Sequence, residues 1–150
     1  EGSMGIRTHP NLRLSNGKGV TTANGKALNS AGHKDKQLWG KRAKWVDYWG
    51  KIDDHTVGVA IFDHPNNPRH PTWWHARDYG LIAANPFGIH NFERKKKGVG
   101  DMTVKKGEKL SFLYAFLFHE GDAESAGIAE TYDRWVEAVA NMRARAGGNN

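Results

Sequence analysis

The chain contains no cysteine. That absence excludes disulfides, thiolate-ligated metals and cysteine nucleophiles together, and it leaves the redox compartment, and with it the localisation, open. No apolar run approaches the roughly 20 residues that cross a bilayer, so no transmembrane segment is expected and the chain reads as soluble. The longest such run, residues 110–118, has the length of a strand and contains Ser111. No secretory signal is visible either, and the chain opens on Glu1, as a processed chain or a fragment would. Internal repeats and linker-like composition are also missing. At 150 residues and 38% hydrophobic, the sequence suits one domain over residues 1–145, with a frayed tail at 146–150.

Basic residues outnumber acidic ones, giving a net charge of +6. They are scattered, however, over residues 34–44, 94–97 and 143–145, and no recognition motif accompanies them. No nucleic-acid partner is expected. The run Arg94-Lys95-Lys96-Lys97 before Gly98 reads as a solvated loop tip.

What the sequence does hold is mostly β pattern. Residues 4–8 suit a short strand, and residues 12–15 and 20–23 flank a hairpin signal at Asn16-Gly17. Residues 37–52, rich in tryptophan and β-branched side chains, read as one long strand that returns through residues 56–62. One or two further strands fall within residues 74–84. Residues 110–119 are apolar on both faces, which predicts a central strand covered on both sides. A helix follows, with Asp122 as N-cap and a stripe of Ile128, Tyr132, Trp135, Val136 and Val139. The expected fold is mainly β, an antiparallel β-sandwich with one C-terminal helix.

Prolines are few, five in all, yet four of them fall within residues 62–88. So do His64, His70, His75, Arg69 and the pair Trp73-Trp74. Proline stiffens a loop at little entropic cost, and stiff loops present functional side chains. Imidazoles titrate near neutrality and serve as general acids or bases. Arg69 offers a planar fork of donors for a carboxylate or a sugar hydroxyl. Trp74 or its neighbour would offer a flat face for a pyranose, at most one of the two, because consecutive strand residues point opposite ways. Asn85 is a candidate polar contact in the turn Asn85-Pro86-Phe87-Gly88. A second constellation, His119-Glu120, lies where the apolar strand ends; Glu120 would act as base with His119 as its partner. Three histidines with Asp63 beside them are also competent metal ligands, though their spacing fits no compact metal signature, and no metal residues are assigned. Hydrogen bonding of the loop to itself is the structural alternative.

The block FDHPNNPRHPTWWHARDYG, with the flanking WGKRAKWVDYWGKIDDHTVGVAI and the later VKKGEKLSFLYAFLFHEGD, resembles a family of soluble bacterial proteins labelled "methane oxygenase PmoA". The likeness runs from Glu1 to about Tyr132 and implies that this chain is the C-terminal half of longer relatives. It further implies a sandwich similar to the large sandwiches of aldose mutarotases and polysaccharide lyases. A glycan or other small molecule would then be the ligand, with His64, His70, His75, His119 and Glu120 in acid–base roles and Arg7 and Arg69 as anchors. The family label implies an alternative, a histidine-coordinated metal-dependent oxidoreductase; a non-catalytic β-domain is the third reading. The cofactor stays unknown. Were an N-terminal half absent, apolar sandwich surface would be exposed and the chain would self-associate.

Overall fold

The computed structural model describes residues 2–147. Seven strands form two antiparallel sheets: β1 (Met4–Arg7), β2 (Lys26–Asn29), β3 (Trp45–Ile52), β4 (His55–Asp63), β5 (Trp74–Ala76), β6 (Leu81–Ala84) and β7 (Tyr114–Glu120). One sheet runs in the order β1-β6-β5, the other β2-β3-β4-β7. A short helix α1 (Ile89–Phe92) follows β6, and a long helix α2 (Ile128–Gly147) closes the chain. This is the expected mainly-β sandwich with a C-terminal helix.

The two faces of the larger sheet explain its composition. Val46, Tyr48, Val59 and Ile61 point inward and pack with Trp74, Ala76, Ile82 and Ala84 of the smaller sheet. Trp45, Ala60 and Phe62 point the other way, beneath Ile128 and Tyr132 of α2. A sheet buried on both faces needs apolar side chains on both, which is why β3 and β4 are mostly apolar, with Asp47 on β3 a buried exception. Each large side chain so buried contributes about 1.5–3 kcal/mol. The helical stripe is as expected: Ile128, Tyr132 and Val139 are buried, and Trp135 and Val136 pack against the same cluster.

Several local expectations are corrected. Residues 12–15 and 20–23 form no hairpin; a 3-10 turn spans Pro10–Leu12, and Asn11, Asn16 and Asn24 tie the loop through side-chain hydrogen bonds. The long strand expected over residues 37–52 is a 3-10 turn at Asp35–Leu38 followed by β3, separated by Gly40 at φ +70°. Asp122 does not cap α2. Its carboxylate accepts from the N–H and hydroxyl of Ser125, closing a turn, and the helix begins at Ile128. The expected frayed tail is helical through Gly147, and residues 148–150 lie outside the described part. The largest correction concerns β7. It starts at Tyr114, bonds β4 alone and lies at the sheet's edge, with Phe116 41% and Phe118 77% exposed.

Candidate functional site

The segment after β4 is organised around one carboxylate. Asp63 has no solvent exposure, and a buried charge persists only when it is hydrogen-bonded throughout. Its Oδ1 accepts from Asn67 Nδ2 at 2.8 Å, and its Oδ2 from His70 Nδ1 at 2.8 Å and Thr72 N at 2.9 Å. Asn67 also donates to Leu113 O and accepts from Leu113 N, binding the loop to the chain entering β7. The Tyr132 hydroxyl donates to Asp63 O, so α2 fixes the base of the same loop. The outcome for His70 is specific. With Nδ1 held by the carboxylate, no hydrogen bond reaches Nε2 among the described residues, and the side chain is 14% exposed. An imidazole fixed at one nitrogen by a buried carboxylate and open at the other is equipped to move a proton.

The remaining loop residues do not converge on it. His64 is buried; its Nδ1 accepts from Asn66 N at 3.1 Å and its ring meets Trp135 edge-on at 5.3 Å. Burial, with Arg143 and His70 nearby, lowers its pKa, and its Nε2 is buried without a partner among the described residues. His75 lies on β5, in the other sheet, against the rings of Trp39 and Phe92. Among the described residues no group of three or more His, Asp or Glu side chains is arranged to hold a metal ion.

The expected substrate contacts are mostly structural here. Arg69, at φ +64°, donates to the carbonyls of Pro86, Gly100 and Asp101. Arg42 donates to Pro71 O at 2.8 Å and stacks over Trp73. Between them the two guanidiniums bind the loop to its neighbours. Trp74 is fully buried with its Nε1 on Ala43 O, and Trp73 is 6% exposed with its Nε1 on Glu93, so neither indole faces a groove. Both are packed, Trp74 within β5 and Trp73 against the Arg42 guanidinium. Asn85 is also buried, its Oδ1 accepting from Phe87 N inside its own turn.

His119 is paired, though not with Glu120. Its Nε2 lies 2.9 Å from Oδ1 of Asp47 on β3, a carboxylate with no exposure, and its Nδ1 contacts Glu120 O at 3.2 Å. The ring reaches Asp47 by lying over Gly58 of β4, where any β-carbon would strike the imidazole. Burial lowers its pKa, but the bond and charge of Asp47, with Glu120 O and Asp122, raise it overall. Glu120 alternates to the other face and is exposed. Both ring nitrogens of His119 are therefore engaged, unlike those of His70.

One surface escaped the sequence reading. Trp39 and Tyr79 are each 37% exposed, and Arg77 lies between them, 6.0 Å from one ring centroid and 5.5 Å from the other. Arg7, an expected anchor, sits 5.3 Å over Tyr79 and extends the row. A depression of about 300 Å³ beside Trp39 is lined by Lys36, Ala76, Arg77 and Asp78. Lys36 and Asp78 form an ion pair at 3.4 Å, and the Ser15 hydroxyl, then Lys36, hold the Asp78 carboxyl below its ordinary range. A signal was present. Both aromatics precede a glycine of positive φ, Gly40 and Gly80, and such glycines mark turns, which run over the surface.

These sheets, the outer helix and the loop braced by Asp63 define a β-sandwich protein with a histidine–aspartate pair at one strand end. Residues 1–133 match the family described as "Family of unknown function (DUF6807)", and the chain belongs to it. No curated protein and no solved structure matches the chain. The resemblance to the "methane oxygenase PmoA" proteins is thereby corrected: the family that matches is one of unknown function, and nothing points to a methane oxygenase.

Proposed function

We propose that this protein binds an acidic carbohydrate at the row Trp39–Arg77–Tyr79–Arg7, and that His70, on its own loop beside Asp63, is a separate acid–base group. The observation that carries the chemical half is His70 Nδ1 at 2.8 Å from the buried Asp63 carboxylate. That contact fixes the ring and its tautomer and leaves Nε2 to exchange a proton. The binding half is supported by exposed rings and guanidiniums alternating on one surface. Flat aromatic faces take the apolar side of a sugar ring. Arginine forks suit a carboxylate, and Asp78 suits hydroxyl donors.

The experiment is a panel of neutral and uronate-containing oligosaccharides, assayed for binding and for conversion with the native chain, Trp39→Ala and His70→Ala. Binding of acidic members that Trp39→Ala abolishes, with turnover that His70→Ala removes while sparing binding, supports the whole reading. Binding with no turnover leaves a sugar-binding domain and removes the acid–base role. No binding to any member ends the proposal.

A further inference from the structure

The exposed edge of β7 has a self-complementary sequence. His64 N donates to Leu113 O at 3.3 Å and Gly121 N to Thr56 O at 2.8 Å, continuing the register that sets Phe118 opposite Val59 and Phe116 opposite Ile61. Both bonds use odd-numbered residues on the β7 side. Antiparallel ladders alternate, so the N–H and C=O groups of Tyr114, Phe116, Phe118 and Glu120 turn to the open edge. Natural edges are usually guarded by lysine, proline or a bulge. The strand YAFLFHE has no lysine or proline, and it leaves Phe116 and Phe118 exposed.

We propose that two copies of this chain associate by antiparallel pairing of β7 with β7 about a two-fold axis at Leu117. In that register Phe116 meets Phe118 of the second copy through paired backbone bonds, and Phe118 meets Phe116. Four phenylalanines then lie side by side on one face, each shielding part of its neighbours. Tyr114 falls opposite Glu120, and His119 opposite Ala115, so no like charges oppose one another. Leu117 faces Leu117 at the axis. This fit of the strand to its own reverse favours a second copy over an unrelated partner. The pairing is independent of the proposed function.

Sedimentation velocity across the micromolar range should show a monomer–dimer equilibrium. Phe118→Lys should weaken it by about tenfold or more while leaving the circular dichroism spectrum and the melting curve of the dilute monomer intact, because that side chain holds nothing inside the fold. The absence of native cysteine allows a second check. Non-hydrogen-bonded antiparallel pairs bring Cα atoms within disulfide range, so Leu117→Cys should cross-link to a covalent dimer on treatment with diamide. A monomer at every concentration overturns the proposal. So does a dimer that Phe118→Lys leaves intact and Leu117→Cys does not cross-link.

Discussion

Nδ1 of His70 lies 2.8 Å from Oδ2 of Asp63, a carboxylate that also accepts from Asn67 and from Thr72 N. The two residues differ in burial: the aspartate is sealed and the imidazole reaches the surface. Their substitutions should therefore separate. Asp63→Asn turns a donor toward donors inside the fold and should cost about 1.5–3 kcal/mol in urea unfolding. His70→Ala should cost less, since Asn67 and Thr72 still bind the carboxylate, and should act on turnover. Equal losses of stability would mean that the pair is purely structural.

Arg69 should behave as a brace. Its guanidinium holds three carbonyls at residues 86, 100 and 101. Arg69→Ala should lower stability by about 1.5–3 kcal/mol without a direct effect on ligand affinity. A stable variant that binds sugar poorly would instead return Arg69 to the role of anchor.

The tryptophans should divide by burial. Trp74→Ala removes a fully buried indole and its bond to Ala43 O, and should cost about 3–5 kcal/mol. Trp39→Ala, at a partly exposed turn, should stay within about 1 kcal/mol of the native chain. Urea denaturation of both variants checks the contrast.

Two histidines should bend the stability profile in opposite directions. His119 has a raised pKa in the fold, so its contribution is complete below the ordinary value of 6.5 and fades as pH rises through the folded value. His64 has a lowered pKa. Its neutral form is the folded one, so stability is lost as pH falls below 6.5, where the unfolded chain takes up the proton first. Melting curves across this range should show Asp47→Asn flattening the alkaline limb and His64→Gln the acid limb. Gly58→Ala, which drives a methyl into the His119 ring, should mimic Asp47→Asn. Unchanged limbs would mean that neither group titrates with folding.

The sandwich was legible because β3 and β4 are dominated by aromatic and aliphatic side chains and α2 carries a regular stripe. The edge position of β7 was not, because a strand apolar on both faces has the same pattern whether or not a neighbour covers it. The loop at residues 64–73 was visible as a proline cluster, and His70 within it. Which imidazole would find a carboxylate was not visible. His70 pairs within its own loop, whereas His119 reaches across β4 to Asp47, 72 residues distant in sequence, and passed over its neighbour Glu120. Strand alternation sends adjacent residues to opposite faces, so sequence adjacency argued for the wrong partner. Likewise Trp73-Trp74 drew attention by crowding, whereas Trp39 and Tyr79, single aromatics at glycine turns, did not.

The central claim is that Trp39 meets a sugar. Fluorescence titration with an acidic oligosaccharide tests it most directly, since Trp39 is the one substantially exposed indole among the described residues. Saturable change in the native chain, weakened by added salt and absent from Trp39→Phe and Arg77→Ala, is the predicted result. An identical titration in the Trp39→Phe chain, or no response from the native one, would contradict it.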